Sequence, residues 1–233
     1  LYIKPGDFRL IFLLAGIPGI LGMIFLILKI KEAKQSKENL LKKFRFHDYP
    51  KRFYLFLGII FIFTLGNSTD ALLIVKANEV GIKVTFIPLV YLISSVVSVF
   101  LAIPLGTLSD KIGREKLLIF GFLIYAVVYF GFGTTGNVYT IAGLFALYGV
   151  YSASTDGIQK ALVSDFTDRN KTGTVMGMYN ALLGVTLLPA SLIAGVLYDK
   201  VNSSIPFYFG AATALLSALS MVIFVWTKRE VVE

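Results

Sequence analysis

Long runs of apolar residues dominate this sequence, and they constrain its fold more than any other feature. An α-helix needs about 20 mostly apolar residues to cross the ~30 Å of hydrocarbon in a bilayer. Five stretches have this length, and a sixth, residues 117–155, is too long for one crossing. The Gly- and Asn-containing segment 131–137 predicts a turn that divides it. We therefore expect seven transmembrane helices, at residues 9–29, 53–76, 84–108, 117–133, 138–164, 172–198 and 204–227.

The composition excludes several classes of protein. Hydrophobic residues make up 56% of the chain and charged residues 15%, against about 25% charged residues in an average soluble domain. Because there is no cysteine and the single histidine is His47, we expect no disulfide, no thiol catalysis, no bound metal and no other cofactor. The basic residues behind the net charge of +8 lie between the apolar runs, so we expect no nucleic-acid partner. The sequence predicts an all-α integral membrane protein.

The lysines and arginines between the predicted helices predict their orientation. Sixteen of them fall on one side of the bilayer and five on the other. Basic residues accumulate on the cytoplasmic side. The N-terminus is therefore expected outside and the C-terminus in the cytoplasm, with the protein in the cell membrane.

A long basic segment separates the first predicted helix from the other six. We expect residues 1–29 to contain a transmembrane helix of an upstream half, 30–52 to form a basic cytoplasmic loop, and 53–233 to form a six-helix bundle. A loop of this length among short connections is typical of a joint between two halves. We therefore expect the chain to be part of a longer protein whose upstream helices are its partner; an intact seven-helix protein is the alternative.

The turn between the third and fourth predicted helices is richer in polar residues than a simple reversal requires. Gly113 permits a positive φ, and Gly106 allows a neighbouring backbone to approach closely. Asp110 can accept a hydrogen bond from Arg114. The segment containing them and Lys111 reads GTLSDKIGREK, at residues 106–116.

This segment, between two hydrophobic helices, resembles the signature loop of the major facilitator superfamily. The layout agrees, because one helix, a basic loop and six helices resemble helix six, the central loop and helices seven to twelve of that family. Lys111 and Glu115 depart from the commoner basic pattern, and an ordinary positive-inside turn is the alternative interpretation. The resemblance implies a secondary active transporter that alternates between inward- and outward-open states. It also implies peripheral positions for the fourth and seventh helices, and a conformational rather than ligand-binding role for Gly106, Asp110, Lys111, Gly113 and Arg114.

Polar residues inside the fifth predicted helix mark a candidate pathway. A charged side chain at the centre of a bilayer costs about 2.5–3.5 kcal/mol even on lenient scales, so it needs a partner or a function. Asp156 and Lys160 have the spacing of a helical ion pair. The polar side is therefore either a cavity wall or a self-neutralised pair near the interface. Within an arc of about 140° it contains Tyr148, Ser152, Thr155, Asp156, Gln159 and Lys160.

Two other predicted helices contribute polar residues. Asn67 and Asp70 lie in the second, where Asp70 could instead reach the outer interface. Tyr91 lies in the third, on one face with serines that could serve only helix packing. We take the candidate solute or ion pathway to comprise Asn67, Asp70, Tyr91, Tyr148, Ser152, Asp156, Gln159 and Lys160.

Three functional hypotheses follow from these features. The first is transport of a small solute, coupled to a proton or another cation. The second is a seven-helix receptor or retinal photoprotein, although the last predicted helix has no interior lysine for a Schiff base. The third is an intramembrane enzyme, for which Asp70 and Asp156 would be the available acids; neither lies in a protease-like motif.

Overall fold

The computed structural model of the chain describes residues 8–29, 49–67, 70–168 and 171–229, which are helical and contain no strand. Each predicted span is helical, so the all-α prediction is confirmed. The helices are α1 (Phe8–Lys29), α2 (Lys51–Gly66), α3 (Ala71–Glu79), α4 (Ile87–Ile112), α5 (Arg114–Thr134), α6 (Val138–Asp165), α7 (Thr172–Lys200) and α8 (Ile205–Arg229), with a 3-10 turn at Val84–Phe86 before α4.

Five helical segments of the described residues are long and apolar enough to cross a membrane. They are Lys51–Glu79, Val84–Ile112, Arg114–Thr134, Thr172–Lys200 and Ile205–Thr227. α6 is not among them, because its tyrosines, serines and threonines lower its mean hydropathy. The least apolar of the long helices is thus the one that carries the predicted polar stripe.

The chain forms two compact units, Leu1–Phe46 and His47–Glu233. The first contains α1, and the second contains α2 to α8. Most of the predicted basic loop, residues 30–48, lies outside the described residues. Its last residues belong to the second unit, since α2 begins at Lys51 rather than after residue 52. Arg52 donates from Nη2 to the Phe224 carbonyl at 3.1 Å, and its guanidinium lies 4.4 Å from the Phe224 ring centre.

The second predicted span is not one continuous helix, which corrects our expectation. α2 ends at Gly66 and α3 begins at Ala71. Asn67 and Asp70 are the described residues between the two helices, and residues of these types favour turns and helix ends over helix interiors. The freed Gly66 carbonyl accepts a hydrogen bond from Tyr125 Oη at 3.2 Å. A backbone break at membrane depth is tolerated when neighbouring helices supply such partners.

Aromatic side chains fill the centre of the second unit. Phe63 of α2 stacks on Phe122 of α5 at 4.4 Å, and Tyr125 stacks on Tyr129 at 4.0 Å. α5 packs chiefly against α8 and α6, while α4 packs against α6, and α2 against α8 and α7. This arrangement puts α5 and α6 at the middle of the unit.

The helices of the second unit differ in how deeply they are buried within this chain. We predicted peripheral positions for the fourth and seventh spans, α5 and α8. In the described residues, 56% of the most apolar stretch of α5 and 39% of that of α8 are buried, against 11% for α4 and 17% for α7. Because the predicted upstream half is not part of this chain, these values do not test the predicted peripheral positions, which stay a prediction.

Candidate functional site: a polar cavity at a helix break

A polar cavity of about 390 Å³ opens beside the break between α2 and α3. It brings together six of the predicted pathway residues, from the connection between α2 and α3 and from the two helices α4 and α6. Its lining consists of Asn67, Asp70, Tyr91, Tyr148, Tyr151, Ser152, Asp156 and Leu187. The cavity lies among helices whose other surfaces are largely apolar, so these side chains have a polar space away from lipid.

Asp70 is held by two tyrosines from different helices. Tyr91 Oη of α4 and Tyr148 Oη of α6 each donate to its carboxylate at 2.6 Å. Hydrogen bonds to an ionised acceptor are short and strong. Asp70 takes part in none of the ion pairs formed among the described residues, and its predicted alternative role at the outer interface near Lys76 receives no support, because Lys76 pairs with Glu79.

A close crossing of α4 and α6 brings these two tyrosines together. At Gly149 the helices approach so closely that a Cβ atom would clash with the carbonyl oxygen of Ser94 and lie 2.8 Å from Val97 Cβ. Gly149 directly follows Tyr148, and Ser94 lies one turn beyond Tyr91. The glycine therefore sets the distance between the two donors to Asp70.

Asn67 is fixed by two further tyrosines that the sequence did not single out. Its Nδ2 donates to Tyr151 Oη at 3.1 Å, and Tyr125 Oη donates to its Oδ1 at 3.3 Å. Tyr125 and Tyr151 are both buried. A tyrosine deep inside an apolar span needs a hydrogen-bond partner for its hydroxyl group. That requirement is the sequence signal by which Tyr125 and Tyr151 could have been predicted as site residues.

The polar stripe of α6 serves two adjoining cavities. Asp156 lines both the cavity at the helix break and a second one of about 410 Å³. Gln159 and Lys160 line only the second, where Gln159 accepts a hydrogen bond from Tyr179 Oη at 2.6 Å. Thr155 lines neither, because it is fully buried and donates to the Tyr151 carbonyl.

The expected ion pair between Asp156 and Lys160 does not form among the described residues. Ser152 Oγ donates to Asp156 at 2.6 Å instead, and Ser98 of α4 donates to Ser152 at 3.3 Å. Both Asp156 and Lys160 are exposed. A hydroxyl one turn away satisfies the carboxylate locally, so the long lysine side chain need not be ordered against it.

In the turn between α4 and α5, Gly113 has the predicted positive φ, and Arg114 has one partner that the sequence did not predict. Gly113 has a φ of +100°. Arg114 Nη2 lies 3.4 Å from Asp110, as expected, but Nη1 makes shorter bonds to Asp165 at 2.5 Å and to the Ala161 carbonyl at 2.8 Å. The arginine therefore links the start of α5 to the end of α6.

The structure also describes Gly106 and Lys111, the two other residues of the predicted conformational segment. A Cβ atom on Gly106 would meet nothing within 4 Å, so the predicted close backbone approach is wrong for the described residues. Lys111 is exposed. A cavity of about 300 Å³ lies between α4 and α6, and its lining includes Arg114 and Asp156. No group of three or more acidic or histidine side chains that could hold a metal ion occurs in the described part of the chain.

Apolar helices with a polar interior cavity define a multi-pass membrane protein with an internal polar site. The sequence profile of the major facilitator superfamily matches residues 55–233. An MFS-type transporter of Methanocaldococcus jannaschii is 34% identical over 222 residues, which cover 93% of this chain and 56% of that protein. The chain belongs to the major facilitator superfamily, as the motif and layout predicted.

Two further relatives carry names that describe resistance. Multidrug resistance protein 2 of Bacillus subtilis is 28% identical over 174 residues, covering 73% of this chain and 40% of that protein. The class H tetracycline resistance protein of Pasteurella multocida is 31% identical over 128 residues, covering 54% of this chain and 31% of that protein. The chain thus spans about half or less of the length of these curated relatives.

Proposed function

We propose that this protein is a secondary active transporter of the cell membrane. It moves a small solute by alternating access, without converting the solute chemically, and couples that movement to a proton or another cation. The observation that carries the proposal is the polar cavity at the break between α2 and α3. Broken helices beside a polar cavity are typical of binding sites in such transporters.

The pathway comprises the predicted residues along both adjoining cavities. Asp70 and Asp156 are its charged members in the cavity at the break, and Lys160 is the charged member of the second cavity besides Asp156. Because the cavities share Asn67, Tyr151, Asp156 and Leu187, they form one polar route along α6. Asp156 is the proposed coupling carboxylate, since it lines both of the cavities that form the route.

The turn between α4 and α5 is proposed to stabilise one conformational state. Arg114 joins Asp110 at the end of α4 to Asp165 at the end of α6. A change in the angle between these helices has to break or rearrange its hydrogen bonds. Gly113 allows the tight connection that brings Arg114 into reach, and Gly106 and Lys111 complete the proposed conformational segment.

The proposed orientation of the chain in the membrane and its proposed partner are those that the sequence predicts. The excess of sixteen over five basic residues supports a cytoplasmic C-terminus and a cytoplasmic Gly113 turn. The proposed partner is a set of upstream helices that would form the second half of the transporter and pack beside this chain in the bilayer.

Flux measurements in proteoliposomes test the proposal. The full-length protein is reconstituted with a pH-sensitive dye inside the vesicles, and proton movement is recorded when organic cations, amino acids or sugars are added outside. We expect at least one solute to drive proton movement, and Asp156→Asn to abolish it. Asp199→Asn, at the exposed end of α7, is the matched control and should leave the signal unchanged. Solute uptake that persists at the same rate without any imposed or solute-driven ion gradient would contradict coupled transport.

A second comparison addresses the turn. Arg114→Ala should slow the flux, whereas Lys83→Ala, which removes an exposed charge in the connection before α4, should not. Equal flux in the two variants would refute the proposed role of the turn.

A further inference from the structure

Among the described residues that line the cavity at the helix break, two are acidic and none is basic. Asp70 and Asp156 are its ionisable acids, and the remaining lining residues are uncharged. Lys160, the nearest basic residue along α6, lines the neighbouring cavity instead. Acidic side chains without a basic neighbour in a membrane protein call for a positive partner.

Hydrogen bonds satisfy the two carboxylates without neutralising them. Asp70 accepts two tyrosine hydroxyls and Asp156 accepts one serine hydroxyl. Hydroxyl donors stabilise the ionised form of a carboxylate. Within the part of the chain that the structure describes, neither acid takes part in an ion pair. The cavity is thus arranged to keep negative charge available to a ligand.

The remaining walls are aromatic and apolar. Tyr91, Tyr148 and Tyr151 line the cavity together with Leu187, and the rings of Tyr148 and Tyr151 lie 5.2 Å apart with a tilt of 45°. The faces of aromatic rings attract cations, most strongly where water is excluded. A wall of this kind favours a cation that carries apolar groups over a hydrated inorganic ion.

We propose that this cavity binds an organic cation, with its charge between Asp70 and Asp156 and its apolar groups against the three tyrosines and Leu187. The volume of about 390 Å³ accommodates a molecule rather than a single ion. The assignment rests on the proposed transport function and adds the substrate class to it. Asp70 contributes more than Asp156, because Lys160 lies one helical turn from Asp156 and offsets part of its charge.

A pair of probes with the same shape and opposite charge tests this assignment. The full-length protein in detergent is titrated calorimetrically with tetraphenylphosphonium and with tetraphenylborate, and binding to empty micelles is subtracted. We expect tetraphenylphosphonium to bind at least tenfold more tightly than tetraphenylborate, a difference of about 1.4 kcal/mol. Asp70→Asn should weaken the cation at least tenfold and Asp156→Asn by a smaller factor, whereas the control Asp199→Asn should change neither probe.

A replacement variant keeps the test decisive. If Asp70→Asn does not give a monodisperse protein on size exclusion, Tyr148→Phe replaces it, since it removes one hydroxyl from the carboxylate and keeps the ring. In that variant the cation affinity should change while the discrimination between the two probes remains.

The outcomes separate the cation site from the transport function. Equal binding of the two probes, or unchanged cation affinity in both Asp→Asn variants, would overturn the organic-cation site even if another solute showed coupled flux. Selective cation binding without coupled flux of any solute in proteoliposomes would uphold the site and refute the transporter.

Discussion

The close crossing of α4 and α6 at Gly149 gives the sharpest test of the structure. A Cβ atom at this position would clash with the Ser94 carbonyl oxygen and crowd Val97. Gly149→Ala should therefore push the two helices apart. Since Tyr91 and Tyr148 donate to Asp70 at 2.6 Å from opposite sides of this crossing, the displacement should also lengthen at least one of those bonds.

The expected magnitude comes from comparison with a second glycine on the same helix. A Cβ atom at Gly143 would meet nothing within 4 Å. Replacing glycine by alanine inside a helix favours folding by about 1 kcal/mol, and both variants share this gain. Overpacking a tight contact costs about 1–3 kcal/mol, and only Gly149→Ala has that cost. Gly149→Ala should therefore be less stable than Gly143→Ala by about 1–3 kcal/mol.

Thermal unfolding of the two variants in the same detergent, followed by circular dichroism of the helical signal, measures the difference. Gly143→Ala should unfold at or slightly above the temperature of the unmodified protein, and Gly149→Ala clearly below it. Equal unfolding temperatures for the two variants would show that the crossing can open without cost. The argument that Gly149 fixes the two donors to Asp70 would then fail.

Two further predictions concern hydrogen bonds between distant parts of the chain. In a double-mutant cycle, Arg114→Ala and Asp165→Ala should show a coupling energy of about 0.5–1 kcal/mol in unfolding, because both side chains are partly exposed; additive effects would refute the bond. Tyr125→Phe should lower the free energy of unfolding by about 1–3 kcal/mol, because it leaves the buried Gly66 carbonyl without its donor. Tyr139→Phe is the control for losing a hydroxyl, since Tyr139 is 87% exposed; equal destabilisation of the two variants would contradict the role given to Tyr125.

The helices could be predicted from the sequence because the membrane imposes a length and a polarity on each span. The same rule of length and polarity did not predict the break between α2 and α3 at residues 67–70. Uncharged polar residues do not end an apolar run in a hydropathy count, so the second span was predicted as one helix. The contact that satisfies the freed Gly66 carbonyl at the break comes from the Tyr125 hydroxyl, 59 positions away. No local pattern reports a contact at that separation.

The candidate site was predictable in its residues but not in their pairing. The helical period placed Tyr148, Ser152 and Asp156 on one face, and the structure puts all three in one cavity. The spacing of Asp156 and Lys160 predicted an ion pair. Instead, the hydroxyl group of Ser152, one turn earlier, donates a hydrogen bond to the Asp156 carboxylate. Similarly, Asp110 was the expected partner of Arg114, whereas Asp165, 51 residues away, lies closer to it. Spacing along a helix shows which groups can meet, and packing against other helices decides which do.

Tyrosine hydroxyls connect the broken segment to the rest of the unit. Asp70 is bonded to α4 through Tyr91 and to α6 through Tyr148, while Tyr151 and Tyr125 hold Asn67 from α6 and α5. Irregular backbone inside a membrane needs such partners, since lipid offers none. Any motion that separates α4 from α6 must consequently stretch one of the two bonds to Asp70. Neutralising Asp70 would in turn weaken the charge-assisted bonds that hold those helices. The charge on this carboxylate and the angle between α4 and α6 are therefore linked through the same two hydroxyl groups.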